Sequence, residues 1–184
     1  MDSNVKFGLI SFIFRELNKS RLYYGKIVIQ KILYFLQETE NVNLNFRFTF
    51  YHYGPYSEEL ARDIQLMELN GLINSSVDPK GMGYSIHLNE EVAQKYIEQS
   101  RQIIDKNSDK IARILSDFGR FKPKFLELYA TIHFVYQDLR SINVEMNASI
   151  KDNVIDIVKK MKPKFTSAQI SKSYDKLLEL EYIK

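Results

Sequence analysis

Residues 26–37 read KIVIQKILYFLQ, and this stretch decides the fold. Apolar side chains occupy most of the circumference of the helix that the stretch predicts, so this helix must be largely buried. Its polar side chains recur every three or four residues and therefore share one edge of the helix. They are Lys26, Gln30, Tyr34 and Gln37. This edge is either a recognition surface or the side of the helix that faces water.

The segments on either side of this helix are its nearest packing partners in the sequence. Residues 4–18 carry apolar side chains at helical spacing, and we interpret them as a core helix and not as a signal peptide or a membrane span. Residues 45–53 switch to a period of two, with Phe46, Phe48 and Phe50 on one face. This alternation predicts a strand that buries one face.

A third helix is predicted after the strand. Gly54 and Pro55 are expected to turn the chain, and Ser57 can cap the helix through its hydroxyl group. The helix is predicted to run to about Asn70, and Gly71 is placed to end it. Its apolar stripe consists of Leu60, Ile64 and Met67.

Residues 72–88 are predicted to form a β-hairpin. Turn-forming residues fill positions 78–83, and apolar residues alternate after them. Helices followed by a hairpin wing are the order expected of a winged helix. We therefore expect a winged-helix-like unit over residues 1–88, in an α+β protein that is mostly α and has a small antiparallel sheet.

The second half, residues 89–184, is predicted to be helical, with a helix-turn-helix-like end. Its strongest helical pattern runs over residues 125–139. Its last helix begins with a capping box, in which Thr166 is the cap and Gln169 lies three residues on. Weaker or shorter helical patterns cover 90–105, 108–118 and 150–161. The two halves form either two domains or one composite domain.

Composition indicates a compact intracellular protein. The 184 residues are 45% hydrophobic and 13% aromatic, which is enough for a packed core. The absence of cysteine excludes disulfides, thiolate zinc sites and cysteine nucleophiles, and it favours a cytoplasmic location. No phosphate-binding loop, nucleophile elbow or pair of catalytic carboxylates stands out, and the histidines lie far apart in the sequence. We therefore expect no enzymatic activity, no metal and no cofactor.

Two segments of the first half resemble a known family. Residues 26–34 fit the pattern K-x-x-x-Q-K-x-x-Y, and residues 51–57 read YHYGPYS. With the helix that follows, they resemble the Panacea (SocA-like) antitoxin domain and the related YwgA-like bacterial proteins. The resemblance covers roughly residues 20–75. It implies an α-rich, winged-helix-like binding fold without known enzymatic activity, often encoded beside a toxin that it neutralises.

The residue pattern and the resemblance select one candidate surface. Tyrosines cluster in residues 51–56, next to a helix N-terminus whose backbone N–H groups could receive an anion or a carboxylate of a partner. Lys26, Gln30 and Lys31 match the helical motif of the family. The predicted partner-binding residues are Lys26, Gln30, Lys31, Tyr34, Tyr51, Tyr53, Gly54, Pro55, Tyr56 and Ser57.

DNA binding is the alternative function. Residues 1–100 carry 10 Lys and Arg against 12 Asp and Glu, whereas residues 101–184 carry 16 against 11. The third helix has a formal charge of −3, from four acidic side chains and one arginine, which opposes contact with phosphates. The basic second half is therefore the better candidate for DNA contact. The lysines selected there are Lys159, Lys160, Lys162, Lys164, Lys172 and Lys176.

The sequence thus favours a non-enzymatic regulatory module, antitoxin- or adaptor-like, that binds a partner protein. A winged-helix DNA-binding regulator is the alternative. A toxin encoded nearby is the partner that the resemblance implies. The identity of the partner and the oligomeric state, a homodimer included, are left open.

Overall fold

The computed structural model describes residues 2–19, 24–77, 84–141 and 149–184. Over these ranges the chain is mostly helical with two small antiparallel sheets, which confirms the predicted α+β, mostly α class. The elements are α1 (Ser3–Lys19), α2 (Lys26–Glu38), β1 (Thr49–Tyr51), β2 (Gly54–Tyr56), α3 (Glu58–Leu69), β3 (Ile73–Val77), β4 (Tyr84–Leu88), α4 (Glu90–Gln99), α5 (Arg101–Lys106), α6 (Ser108–Phe118), α7 (Pro123–Ser141), α8 (Ile150–Met161) and α9 (Ser167–Glu179).

Two helices, α2 and α7, form the centre of the protein. Helix α2 is buried from Val28 to Leu36 and packs against α6, α7, β2 and β4. Helix α7 is buried over residues 126–133 and also packs against α8, α9 and β2. Since both helices are apolar around most of their circumference, each needs neighbours on several sides. None of the described helices has the length and apolarity needed to cross a membrane.

The two halves of the chain are packed against each other. Helix α1 lies along α4, and α2 contacts α6 and α7, so contacts cross the boundary suggested at residue 88 in several places. Buried apolar side chains from both halves belong to one hydrophobic cluster. The division into 1–88 and 89–184 stays a prediction, and so does the winged-helix arrangement of the first half.

Several local signals in the sequence are confirmed. The Ser57 hydroxyl accepts a hydrogen bond from the backbone N–H of Leu60 at 3.2 Å and so caps α3. Thr166 and Gln169 form the predicted capping box of α9. The predicted β3–β4 hairpin is present, with Ile73 opposite Leu88. Its predicted turn, residues 78–83, lies outside the described residues.

The first hairpin differs from the prediction. Burial alternates over residues 41–50 as expected, but only Thr49–Tyr51 pairs as a strand. Its partner is β2, and Tyr51 lies opposite Gly54. The loop therefore consists of two residues, His52 and Tyr53, a common length for a β-hairpin. The prediction of a turn at Gly54 and Pro55 is wrong, because these residues belong to the second strand.

The predicted helix over residues 90–105 is divided at Ser100. The hydroxyl group of Ser100 donates hydrogen bonds to the carbonyl oxygens of Tyr96, at 2.7 Å, and Val5, at 3.0 Å. Its backbone leaves the helical range, with φ −99° and ψ 3°. Because Val5 belongs to α1, this break lies where α1 packs against the end of α4, a contact between distant segments that the local pattern does not show.

Gly54 brings the first hairpin close to α7. Its φ of +83° is a conformation that side chains disfavour, and an added Cβ would lie 2.8 Å from the hydroxyl oxygen of Thr131. Gly71 is a natural comparison, because its φ is +71° but no atom lies within 4 Å of an added Cβ. Gly54 is thus constrained both by its backbone conformation and by a close neighbour, whereas Gly71 is constrained by its backbone conformation alone.

We predict that Gly54→Ala lowers the free energy of unfolding by about 3 kcal/mol, from backbone strain plus overpacking. The matched change Gly71→Ala should cost about 1 kcal/mol, from backbone strain alone. Urea denaturation followed by circular dichroism measures both values. Adding Thr131→Ala should recover part of the Gly54→Ala loss. Equal losses for the two glycines would show that the hairpin does not depend on this close approach.

Candidate functional site

An open pocket of about 220 Å³ lies between α2, the β1–β2 hairpin and α3. Residues 26–34 and residues 51–57 meet at this pocket. Of the predicted partner-binding residues, Tyr34, Pro55 and Ser57 do not line it, and the other seven do. The pocket is lined by Lys26, Ile27, Gln30, Lys31, Tyr51, Tyr53, Gly54, Tyr56, Ala61, Ile64 and Gln65.

Gln30 joins α2 to the start of α3. Its side-chain amide donates to the carbonyl oxygen of Ser57, and its amide oxygen accepts from the backbone N–H of Ser57, both at 2.9 Å. Both residues are buried. A buried pair of this kind satisfies polar groups that would otherwise be costly to remove from water. Gln30 therefore holds the wall of the pocket in place.

Lys31 lies between the pocket and the core. It is 1% exposed, and its ammonium group donates to the carbonyl oxygen of Pro55 at 2.6 Å. Burial lowers the pKa of Lys31 to about 7, the nearby Glu127 carboxylate opposes this shift, and Lys162 adds to it. The side chain can therefore gain or lose a proton near neutral pH.

A buried ion-pair cluster lies behind the hairpin. Glu127 of α7 is 3% exposed, and its two carboxylate oxygens pair with Lys162 at 2.6 Å and Lys164 at 2.9 Å. Lys162 is buried and also donates to the carbonyl oxygen of His52. Lys31 and Lys162 thus each hold a backbone carbonyl of the hairpin, one in the second strand and one in the loop.

Tyr34 and Gln37, further along the polar edge of α2, also have partners inside the protein. The Tyr34 hydroxyl group is hydrogen-bonded to Nδ1 of His133 at 2.8 Å, and both side chains are buried. Burial lowers the pKa of His133 to about 4. The Gln37 amide makes two hydrogen bonds to the backbone of Phe46, at 2.8 and 2.9 Å. From Gln30 onwards, this edge faces other elements of the protein and not water.

Two tyrosines project from the hairpin beside the pocket. Tyr51 is 54% exposed and Tyr53 is 55% exposed. The ring of Tyr51 lies 5.5 Å from that of Tyr56, so that one tyrosine supports the other. Large aromatic side chains held at a surface are typical anchors of protein interfaces.

The acidic side chains of α3 are largely engaged within the protein. Asp63 pairs with Lys6 of α1 at 3.0 Å, and Glu68 accepts a hydrogen bond from the backbone N–H of Ser75 at 3.1 Å. Glu59 accepts a hydrogen bond from the Ser57 hydroxyl, which lowers the pKa of its carboxyl group. Of these contacts, that of Asp63 is with a cation, whereas the lowered pKa keeps Glu59 ionised, so α3 retains most of the negative charge that its sequence suggests.

The lysines selected for DNA contact have different environments. Lys162 is buried, and Lys164 pairs with Glu127. Lys159 donates to the carbonyl oxygens of Pro163 and Phe165, and Lys176 pairs with Glu179. Lys160 and Lys172 are exposed. Lys162 cannot reach a phosphate without leaving its buried carboxylate partner, so the six lysines do not form one exposed basic surface.

The sequence did not identify several residues that form or support the pocket. Ile27, Ala61, Ile64 and Gln65 line it, and Glu127 anchors the lysines behind it. The sequence does carry a signal for Glu127, since it is an acidic residue inside the apolar pattern of α7. A buried carboxylate needs a cationic partner, so this position predicts a buried ion pair. Among the described residues, no group of three or more His, Cys, Asp or Glu side chains could hold a metal ion.

Comparison with known proteins yields no assignment. The chain matches no protein-family model, and a search of curated proteins finds no significant match.

We predict that Lys31 makes stability depend on pH. The pKa of lysine is about 10.5 in the unfolded chain and about 7 here, so between these values the unfolded state binds more protons. Stability therefore rises with pH across this window. Between pH 7 and 9.5 the contribution is about 3 kcal/mol, from about 1.36 kcal/mol per pKa unit.

The Lys31→Met variant isolates this contribution. Denaturant unfolding of both proteins at pH 7 and 9.5 gives the difference between their free energies of unfolding at each pH. Ionisation of the tyrosines affects both proteins equally, so its contribution cancels in this difference. The difference should shift by about 3 kcal/mol in favour of the wild type as the pH rises. A difference that stays constant would mean that Lys31 remains charged in the folded protein up to high pH.

Proposed function

We propose that this protein is a non-enzymatic, antitoxin- or adaptor-like module that binds a partner protein through its tyrosine-lined pocket. The observation that carries the proposal is a preformed pocket beside two exposed tyrosines, Tyr51 and Tyr53. Both tyrosines belong to a hairpin whose backbone is held by hydrogen bonds from two buried lysines. Interface hot spots combine these two features, since an aromatic anchor and a rigid pocket reduce the entropy lost on binding.

The contacts between the two family-like segments support the same proposal. Gln30 and Lys31, from the helical motif, hydrogen-bond the backbone of Ser57 and Pro55, from the YGPYS motif. Residues that are distant in the sequence and carry the resemblance thus build one surface. We propose on this basis that the protein is related to the Panacea (SocA-like) and YwgA-like proteins, that it acts in the cytoplasm, and that its partner is a toxin encoded nearby.

The environments of the lysines favour a protein partner over DNA. DNA binding that is driven by phosphate contacts requires several exposed cations on one surface. Here, four of the six candidate lysines are engaged by carboxylates or carbonyl oxygens. The tyrosine surface needs no such charge. DNA recognition is therefore not part of the proposed function.

Co-expression with the adjacent gene tests the proposal. We expect the neighbouring protein to arrest growth when it is produced alone, and the wild-type chain to restore growth and to co-purify with it. The double variant Tyr51→Ser/Tyr53→Ser should reduce co-purification at least tenfold, since hot-spot tyrosines contribute about 1–2 kcal/mol each.

Leu69→Ser is the matched control for this double variant. Leu69 is 83% exposed and lies on α3 outside the pocket lining, so its replacement removes an exposed apolar side chain without touching the tyrosine surface. It should bind as the wild type does. Equal binding by the tyrosine variant and the wild type would refute the proposed site, and the absence of any stoichiometric partner would refute the proposed function.

A further inference from the structure

Positive charge is in excess around the base of the pocket. Lys31, Lys162 and Lys164 lie near a single buried carboxylate, that of Glu127. Both oxygens of Glu127 are taken, one by Lys162 at 2.6 Å and one by Lys164 at 2.9 Å. The ammonium group of Lys31 donates instead to a neutral carbonyl oxygen, that of Pro55, at 2.6 Å. A buried cation beside a neutral acceptor remains incompletely compensated.

The pocket places apolar surface next to this charge. Its walls include Ile27, Ala61 and Ile64, together with the rings of Tyr51 and Tyr56. Lys31 lines the same pocket, and Lys26 is exposed at its edge. A volume of about 220 Å³ accommodates one large side chain and a small polar group. The complementary ligand is therefore an apolar group that carries a negative charge.

We propose that the pocket binds an aspartate or glutamate carboxylate of the partner protein together with an adjoining apolar side chain of that partner. This inference rests on the proposed function and names the chemistry that the partner presents. The apolar side chain lies against the isoleucines and tyrosines, and the carboxylate is directed towards Lys31. An acidic side chain fits better than a nucleic-acid chain, because the walls beside Lys31 are apolar and the adjoining groove carries both Glu58 and Arg62, whose opposite charges give it no net attraction for a row of phosphates.

Binding of a carboxylate is coupled to proton uptake by Lys31. A carboxylate beside Lys31 favours its charged form, so the complex takes up a proton above pH 7. The ligand carboxylate itself stays ionised above about pH 5. If only protonated Lys31 attracts the ligand, affinity falls about tenfold between pH 6 and 8. The ionisable groups near Lys31 and its pocket are Lys26, Tyr51, His52, Tyr53, Tyr56, Glu127, Lys162 and Lys164, together with Glu58 and Arg62 of α3 in the adjoining groove.

A matched pair of small probes tests the charge preference on the full chain. The probes are 3-phenylpropionate and its neutral analogue 3-phenylpropionamide, titrated into protein labelled with ¹³C-lysine and followed by NMR. The acid should bind in the range of about 1 mM, as expected for a ligand of this size, and at least fivefold more tightly than the amide at pH 6. Its affinity should fall about tenfold at pH 8, and the Lys31 Cε resonance should titrate at a higher pH in its presence.

Two lysine variants locate the effect. Lys31→Met should abolish the preference for the acid over the amide, whereas Lys160→Met, a change at an exposed lysine of α8, should leave it unchanged. The comparison of acid and amide on the wild-type protein stays decisive even if Lys31→Met is poorly folded. Equal binding of the two probes, or binding of neither, would overturn the inference.

Competition separates this inference from the proposed function. With the captured partner bound, 3-phenylpropionate should release it at pH 6, and the same concentration of 3-phenylpropionamide should not. If the partner stays bound in the presence of 3-phenylpropionate, but the Tyr51→Ser/Tyr53→Ser variant does not bind it, the carboxylate inference fails and the proposed function stands. If the acid is preferred but no partner is captured, the function fails, and the pocket is a site for free carboxylic acids.

Discussion

A helix that is apolar on nearly every side leaves its few polar groups without water, and α2 satisfies them with the backbone of other elements. Gln30 pairs with Ser57, Lys31 donates to Pro55, and Gln37 pairs with Phe46. Each contact ties α2 to the segment 46–57. The burial of one helix thereby fixes the hairpin and the start of α3, and the pocket forms where the three elements meet.

The sequence predicted this helix, its polar edge and most of the pocket lining, because all three follow from local periodicity and short motifs. It did not predict what the polar edge faces. The pattern allows either water or a partner there, whereas Gln30 binds the backbone of Ser57 and Tyr34 binds the ring of His133, both more than 20 positions away. The predicted turn at Gly54 and Pro55 is wrong because glycine and proline are most common in turns, and the sequence does not show that Gly54 lies against a distant helix. At Gly54 the absence of a side chain allows the hairpin to approach Thr131 of α7 closely.

Charge was the least predictable property, since it depends on pairs formed between distant segments. The run of lysines at the end of α8 is typical of a solvated helix terminus, yet Lys162 is buried against Glu127. The acidic side chains of α3 looked available, yet Asp63 is paired with Lys6. The recognition proposed here depends on the charge behind the hairpin, at Lys31 and its neighbours, and not on the outer face of α3.

The lysines beneath the hairpin hydrogen-bond to its main chain, and the side-chain contact of Lys162 with the hairpin is to the ring of Phe50 in β1, away from the loop. Lys31 binds the carbonyl oxygen of Pro55, and Lys162 binds that of His52. Every amino acid supplies the same carbonyl, so the scaffold places little demand on which side chains occupy positions 52 and 53. Residues at the tip can therefore be exchanged for others while the support beneath is kept. Such a division allows related chains to diverge in what they recognise without a matching loss of stability.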